Sequence, residues 1–192
     1  MAGSDYYSAL IALVKSSDWL MSALLDVRQL ELDSWCIGAG AIRNLVWDHL
    51  HGYAIPSHLP DIDVVYFDSH QISNERDKNL QLRLTTAMPK YQWEVTNQAG
   101  VHLWYEDCFG SPMQALASLE EGVGSWPEYA TCVGVRLEAD NSLRVIAPHG
   151  LDDLFELKVR HNPAKVNLVT YQKRLELKRF NERWPLVQIR SD

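Results

Sequence analysis

Apolar residues recur at helical spacing over the N-terminal part of the chain. Residues 6–14 supply one apolar face, and Ser17 is placed to cap a second helix that carries Leu20, Leu24 and Val27 on one side. Polar positions flank each stripe, as expected for helices that bury one face against a core. The pattern therefore predicts two amphipathic helices at the start of the chain.

Shorter apolar runs follow, and their composition is typical of strands. Residues 35–37 predict a buried strand that ends at the glycine-bracketed turn 38–40, after which residues 41–50 return to helical spacing. Glycine and two prolines mark residues 51–60 as a loop. The β-branched and aromatic run 62–67 predicts a second strand.

The remaining pattern predicts further helices and strands. They are a polar helix at 74–87, a strand at 91–97, a helix that begins at Ser111-Pro112 and ends near Gly122, a hairpin of strands 131–138 and 142–147 around Asp140-Asn141, and a basic helix at 163–183. This order predicts one mixed α/β (α+β) domain over residues 1–192. It has a helical N-terminal segment (1–33), a core (34–147) and a helical C-terminal segment (148–192).

The composition suits a single folded domain with a substantial core. Hydrophobic residues make up 46% of the 192 positions and aromatic residues 10%, which argues against disorder. Lys and Arg number 18 against 25 Asp and Glu, so the formal net charge is -7. Broad, non-specific DNA binding leaves a basic footprint, and we do not expect it here. A small basic pocket for a nucleotide is compatible with this charge.

The cysteines and the N-terminus indicate a cytoplasmic protein. Cys36, Cys108 and Cys132 are widely spaced and odd in number, so the sequence suggests neither a disulfide framework nor a zinc ribbon. The N-terminus lacks the basic region and cleavage site of a signal peptide. No apolar stretch approaches the ~20 residues needed to span a bilayer, and no membrane partner is expected.

The turn Gly38-Ala39-Gly40 is the first candidate for chemistry. Glycine lets the backbone turn sharply and approach a ligand, and the N-terminus of the following helix offers free N–H groups and a positive dipole end to phosphate. Arg43 and Asn44 lie in its first turn, where they can add a charged and a neutral hydrogen bond. Such a connection also occurs without a ligand, so both interpretations stay open for the turn alone.

The second candidate is Asp61-Ile62-Asp63. Strand residues two apart share a face, so the two aspartates project together while Ile62 points to the core. Two carboxylates on one face repel unless a cation lies between them, and hard oxygen ligands suit Mg²⁺. The structural alternative is that Asp61 caps a turn after Pro60 and Asp63 is solvated at a strand end.

Glu94 is the candidate for a third carboxylate. Its neighbours Trp93 and Val95 take the opposite strand face, so the Glu94 side chain can complete the site; an exposed strand residue fits the pattern equally well. Asp68 follows the second strand and points to the wrong face relative to Asp63. Three nearby polar residues, Asn97, Gln98 and His102, are candidate substrate contacts, although the pattern favours a structural hydrogen-bonding role for each.

The order of glycine turn, helix and Asp-x-Asp strand resembles the nucleotidyltransferase superfamily that includes DNA polymerase beta. The chain is also similar to a bacterial nucleotidyltransferase-like family of largely unassigned function. The matching stretches run from Trp35 to beyond Leu157 and are W-C-I-G-A-G-A-I-R-N-L-V-W-D-H-L-H-G, L-P-D-I-D-V-V-Y-F-D, W-E-V-T-N-Q-A-G-V-H-L-W and A-P-H-G-L-D-D-L-F-E-L. Ala39 departs from the usual paired small residues, and Asp61 follows Gly40 by an unusually long 21 positions.

This resemblance implies a nucleotidyltransferase-type mixed sheet flanked by helices, with helical extensions at both ends. Asp61 and Asp63, joined by Glu94, would be catalytic and would bind Mg²⁺ or Mn²⁺. By this resemblance Gly38 and Gly40 match the phosphate turn, and with Ala39, Arg43 and Asn44 they are the candidate nucleotide- and phosphate-binding residues. Lys158 and Arg160 are further candidates for neutralising phosphate charge.

The expected activity is metal-dependent transfer of a nucleoside monophosphate from NTP to an acceptor. The sequence leaves the acceptor open among a small molecule, RNA and protein. One alternative is a non-catalytic nucleotide-binding or regulatory module on the same scaffold, because folds persist after chemistry is lost. Another is an interaction protein that uses its terminal helices as a partner surface.

The C-terminal helix carries the basic pairs 173–174 and 178–179 and Arg183, beside aromatic residues. Contact with RNA or another phosphate-rich acceptor is one interpretation of this stripe. A solvated helix face balanced by Glu176 and Glu182 is the one that charge patterning favours.

Overall fold

The central sheet is built from five strands: β1 (Trp35–Gly38), β2 (Ile62–Tyr66), β3 (Trp93–Asn97), β4 (Gly134–Leu137) and β5 (Leu143–Ile146). Their order across the sheet is β3-β2-β1-β4-β5. β1 pairs antiparallel with β2 and β4, β4 pairs antiparallel with β5, and β2 pairs parallel with β3. The structure, a computed structural model, describes residues 3–110, 112–164 and 166–190. The predicted mixed sheet is confirmed.

Helices flank this sheet and extend from both ends of the chain. They are α1 (Gly3–Ser16), α2 (Asp18–Arg28), α3 (Gly40–Leu50), α4 (Asn74–Ala87), α5 (Tyr105–Phe109), α6 (Leu119–Gly124), α7 (Asp152–Phe155), α8 (Leu168–Lys178) and α9 (Phe180–Arg183). Two 3₁₀ turns cover Gln98–Leu103 and Tyr129–Thr131. A small parallel pair, β6 (Lys158–Val159) and β7 (Gln188–Ile189), which the sequence pattern did not predict, joins the C-terminus to the domain.

Strand alternation gives the sheet two different faces. Ile62 and Val64 of β2 enter the main core, which also takes in the buried faces of α1 to α4. Val65 points the other way and joins a smaller cluster with residues of α6. Since Asp63 lies between two main-core residues, it points to this second face. The same alternation applies to Glu94, whose neighbours on β3 belong to the main core.

The helix predicted from 112 to 122 begins later than expected. Ser111 lies outside the described residues, and α6 begins only at Leu119. Ser118 accepts a hydrogen bond from the amide of Glu121, and the Glu121 carboxylate accepts one from the amide of Ala117. This reciprocal capping is a stronger start signal than Ser-Pro, which explains the difference.

The predicted helix at 163–183 is divided into two. Asn167 caps α8 by accepting a hydrogen bond from the amide of Thr170 at 2.9 Å. α8 then ends at Lys178, because Arg179 takes a left-handed conformation with φ of 49°. The break redirects the chain, so that Phe180 and Trp184 reach full burial in the main core.

α1 and α2 meet at an angle of 89°. Ser17 occupies the predicted N-cap position of α2, but its hydroxyl makes no capping bond; it is buried and has no partner among the described residues. Within the described chain no single helix is long and apolar enough to cross a membrane. Only α1 and α2 taken together have the length and composition of such a span, and the pair is bent.

Candidate active site

Three carboxylates approach one another on the second face of the sheet. Asp63 and Glu94 occupy matching positions of the parallel pair β2–β3. Asp61 lies immediately before β2, in an extended segment held by the amide of Ile62 donating to the carbonyl of Gln92 at 2.8 Å. All three side chains line one cleft of about 520 Å³. The structure thus brings the predicted carboxylates together.

Burial and mutual repulsion together favour the protonated forms of Asp63 and Glu94. Burial, followed by the charges of Asp61 and Glu94, raises the pKa of Asp63 to about 7. The pKa of Glu94 is also raised, first by partial desolvation in the cleft and then by Asp61. Lys178 and Arg43 act in the opposite direction on Asp63. The cleft therefore concentrates negative charge that a cation can relieve.

The glycine turn forms the next part of the cleft wall. Ala39 adopts φ 48° and ψ −117°, a conformation that glycine accepts much more readily than alanine. Its amide donates to the carbonyl of Val133 at 3.1 Å, so this N–H is not free for phosphate. Ala39 and Gly40 line the cleft. Gly38 instead lies under Trp126, where an added Cβ would come within 2.6 Å of the indole ring.

Arg43 lies on α3 and lines the cleft, and aromatic side chains enclose its guanidinium. Its guanidinium is 5.0 Å from the ring centre of Phe180 and 5.6 Å from those of Trp47 and Trp184. It is only 4% exposed, its Nε has no hydrogen-bond partner, and it makes no ion pair with any described residue. Burial lowers its pKa to about 10, so it remains charged at neutral pH.

Asn44, the other predicted phosphate ligand, turns away from this cleft. Its amide donates to the carbonyl of His58 at 3.3 Å, and its oxygen accepts a 2.8 Å bond from Arg43. It lines a neighbouring cavity instead. In this arrangement Asn44 orients the guanidinium of Arg43 and helps to hold the loop that precedes Asp61.

Basic residues of the C-terminal segment close the opposite side of the cleft. Lys173, Arg174 and Lys178 of α8 line it together with Arg183 of α9. Burial, and then the charges of Arg174 and Arg43, lower the pKa of Lys178. The favoured interpretation of this stripe as a solvated face does not hold for Arg174, Lys178 and Arg183, which are partly buried, whereas Lys173 is exposed. The i, i+4 spacing of Arg174 and Lys178 was the available signal that they share a helix face.

A buried ion pair fixes α8 in this position. Glu128 is fully buried, and its carboxylate accepts bonds from Arg174 at 2.5 Å and 3.2 Å. The hydroxyl of Thr131 donates to the same carboxylate at 3.0 Å. Since Glu128 belongs to a segment next to β4, this pair ties the basic wall to the sheet. Nothing in the sequence pattern had pointed to Glu128.

Aromatic side chains complete the cleft. Trp104, Tyr105 and Trp126 line it, beside the buried amide of Gln98. Such rings offer flat surfaces on which a nucleobase can stack. Sequence reasoning had assigned Gln98 a structural role, yet its Oε1 is buried without a hydrogen-bond partner among the described residues.

Other candidates lie elsewhere. Asp68 pairs with Arg76, and Asn97 accepts a bond from the amide of Asp68 at 3.0 Å, which agrees with a structural role for Asn97. Lys158 pairs with Glu156, and Arg160 pairs with Asp153 at 2.8 Å. Neither Lys158 nor Arg160 lines the cleft, so the basic residues facing the carboxylates come from α3, α8 and α9.

A mixed sheet with an Asp-x-Asp strand beside a small-residue turn that opens a helix defines the nucleotidyltransferase class. Residues 26–189 match the profile of a nucleotidyltransferase family. The match covers most of the chain, which therefore belongs to that family. No curated protein matches the chain at a significant level.

Solved structures show the same class of fold. An NMR structure described as revealing a CCA-adding enzyme head domain is 29% identical, with a TM-score of 0.80 over 95% of both chains. A CCA-adding enzyme complexed with CTP is 13% identical, with a TM-score of 0.57. The Thermotoga maritima CCA-adding enzyme complexed with tRNA is 14% identical, with a TM-score of 0.56. Each of these last two matches covers 96% of this chain but only 43% and 42% of the enzyme.

Proposed function

We propose that this chain transfers a nucleoside monophosphate from an NTP to the hydroxyl group of an acceptor, with Mg²⁺ or Mn²⁺ as cofactor. The observation that carries the proposal is a single cleft in which the carboxylates of Asp61, Asp63 and Glu94 face a basic wall. Family membership supports nucleotidyl transfer in general. The CTP-bound CCA-adding enzyme, which shares the fold, supports NTP as the donor.

The carboxylates fit a divalent ion that arrives with its substrate. Within the described residues no three His, Cys, Asp or Glu side chains are grouped closely enough to hold a metal ion by themselves. Mg²⁺ usually binds one or two carboxylates, substrate phosphates and waters, so a complete protein cage is not required. Burial, followed by the charges of Asp61 and Glu94, raises the pKa of Asp63, and a cation bound beside it would favour the ionised carboxylate. Asp61 and Asp63 would hold the ion, with Glu94 beside them.

When bound there, the ion would supply positive charge to the reacting phosphate and lower the pKa of the attacking hydroxyl. The protein's own residues would do the rest by position and charge. Arg43, already desolvated in its aromatic surround, would bind a phosphate oxygen without first losing much water. Lys173 and Lys178 would hold the departing pyrophosphate, and the cleft aromatics would orient the base.

Calorimetry of NTP binding with and without Mg²⁺ tests this proposal. Wild type is compared with Asp61→Asn and Asp63→Asn, which keep side-chain volume, and with Asp68→Asn as a matched control outside the cleft. We expect Mg²⁺-dependent binding that both cleft variants reduce at least about tenfold and that the control leaves unchanged. Absence of NTP binding in the folded wild type would overturn the proposal.

Turnover separates catalysis from binding alone. Release of pyrophosphate from NTP in the presence of an acceptor, lost in Asp63→Asn, supports the enzyme. Mg²⁺-dependent binding without pyrophosphate release over a broad acceptor panel favours the non-catalytic nucleotide-binding module. In that case Glu94, which is exposed, would not serve as the third catalytic carboxylate.

A further inference from the structure

A second cavity of about 860 Å³ lies on the other side of the segment that carries Asp61. Its walls come from the α1–α2 junction, from the outer face of α3, from residues 53–62 and from residues 90–92. Small-molecule sites typically occupy about 300–1,000 Å³. The cavity is therefore large enough for a compact organic molecule.

The position of Asp61 connects this cavity to the site of chemistry. Pro60 and Asp61 line both the second cavity and the carboxylate cleft. A molecule seated in the second cavity can thus present a hydroxyl group at Asp61, opposite a nucleotide held in the cleft. Asn44 lines the second cavity and accepts a hydrogen bond from Arg43, which lines the cleft, so this bond on α3 links the walls of the two compartments.

The walls of the cavity contain groups suited to a planar ligand. Trp19 and Tyr91 form one side, with ring centres 5.8 Å apart and planes inclined by 38°. Tyr53 adds a third ring from the loop. Ser17 also lines the cavity; the residue is 8% exposed, and its hydroxyl is buried with no hydrogen-bond partner among the described residues.

The charge of the cavity selects against nucleic acid. Asp18, Asp48 and Asp61 line it against one lysine, Lys90, which lies 5.4 Å above the Tyr91 ring, and two histidines, His49 and His58. A phosphodiester chain needs basic contacts along its backbone, and here it would meet like charge. The basic residues of α8 line the other cleft, where the proposed NTP already uses them.

Resting on the proposed function, we infer that this cavity is the acceptor site and that the acceptor is a small alcohol with a planar ring and no negative charge. The acceptor oxygen forms a bond to the α-phosphorus of the NTP. The bond from that phosphorus to the oxygen bridging to the β-phosphate breaks, pyrophosphate leaves and the hydroxyl proton passes to solvent. The product is a nucleotidylated alcohol.

The test uses three probes that share one ring: tyramine, which is cationic, tyrosol, which is neutral, and 4-hydroxyphenylacetate, which is anionic. Their binding to the full chain is measured by NMR titration. Ser16→Trp fills the cavity from an exposed helix position, where the serine hydroxyl bonds to the carbonyl of Leu13. Thr86→Trp is the matched control, because Thr86 is exposed on α4 and makes the same kind of bond to the carbonyl of Leu82.

We expect tyramine and tyrosol to bind and 4-hydroxyphenylacetate to bind at least about tenfold more weakly. Ser16→Trp should weaken tyrosol binding by at least about tenfold, whereas Thr86→Trp should not. Mg²⁺-dependent NTP binding should be equal in all three proteins. If the wild-type protein shows no Mg²⁺-dependent NTP binding, the proposed function itself fails.

Two results would overturn the acceptor inference while leaving the proposed function intact. One is that no probe binds, or that probe binding is the same in Ser16→Trp. The other is transfer of labelled nucleotide to an RNA 3′-hydroxyl at an equal rate in wild type and Ser16→Trp, since the acceptor would then not enter this cavity.

Discussion

Asp63 on β2 stands opposite Glu94 on β3 in a parallel register, and both project into the cleft that Asp61 also lines. Parallel neighbours at matching positions share a face of the sheet, so their charges are held close together by backbone pairing. Burial raises the pKa of Asp63 to about 7, and the repulsion from Asp61 and Glu94 that the fold maintains adds to this effect.

The first prediction is that Asp63→Asn stabilises the metal-free protein at pH 8. Between pH 3.8 and about 7 the folded wild type binds a proton at Asp63 that the unfolded chain has lost. Wild-type stability consequently falls as pH rises through this window, and asparagine avoids the loss. Thermal unfolding should show a rise of at least about 2–4 °C at pH 8, corresponding to about 1 kcal/mol, which disappears as pH falls toward 4.

Asp68→Asn is the control with the opposite sign. The hydrogen bond from Arg76 lowers the pKa of Asp68, so the ionised form of Asp68 is stabilising. Its replacement should lower the melting temperature slightly at pH 8, and this effect should vanish in acid. If both substitutions change stability in the same direction at pH 8, the electrostatic account of Asp63 is wrong.

The second prediction concerns Arg43. A charged hydrogen bond is worth about 1.5–3 kcal/mol, so Arg43→Gln should weaken Mg²⁺-dependent NTP binding by about 10–100-fold. Arg43→Lys should not restore it fully, because an ammonium cannot match the planar group among three aromatic rings. Calorimetry measures both variants.

Arg83→Gln is the control for this experiment. Arg83 is exposed on α4, where it donates to the carbonyl of Gln29, away from the cleft. Equal loss of NTP affinity in Arg83→Gln would mean that general surface charge, rather than the caged guanidinium, attracts the nucleotide.

The third prediction tests the ion pair that holds α8. Glu128→Gln leaves Arg174 without its charged partner and should destabilise the protein by about 2–4 kcal/mol. This loss is somewhat smaller than that expected for breaking a fully buried ion pair, because Arg174 is partly exposed. Amide hydrogen exchange should accelerate in Leu168–Lys178 before it does in β1 or β2. Denaturant unfolding and exchange measured by NMR report these two effects.

The double variant Glu128→Gln/Arg174→Met distinguishes a lost pair from general damage. Because it removes both charges, it should recover part of the stability that Glu128→Gln loses. Additive destabilisation by the two substitutions would show that the pair does not couple α8 to the sheet.

Much of the sheet and of its carboxylates could be predicted because the signals are local. Strand alternation around Asp63 and Glu94 requires only the identity of adjacent residues. The helix boundaries that were missed depended on competing local caps, at Ser118 and at Arg179. Patterns over a few residues decide which element forms, but not always where it begins.

The basic half of the site could not be predicted in the same way. Arg174 contacts Glu128 across 46 positions, and no periodicity relates the two residues. The aromatic surround of Arg43 likewise brings α3 together with Phe180 and Trp184. Such long-range packing arises from the tertiary structure, so a stripe of lysines and arginines looked solvated when only its own helix was considered.

The last prediction concerns the backbone of the glycine turn. At φ 48° and ψ −117°, Ala39 carries strain of about 1–3 kcal/mol, which glycine would relieve. Glycine also makes the unfolded chain more flexible, which costs about 0.4–1 kcal/mol of stability. Ala39→Gly should therefore stabilise the protein by about 1 kcal/mol and raise its melting temperature by about 2–4 °C. Ala41→Gly, two positions later in the helical first turn of α3, should instead cost at least about 1 kcal/mol.

NTP affinity should change little in Ala39→Gly, since the hydrogen bond from the backbone amide of residue 39 to the carbonyl of Val133 and the course of the turn are retained. Equal destabilisation by both substitutions would show that Ala39 is not strained.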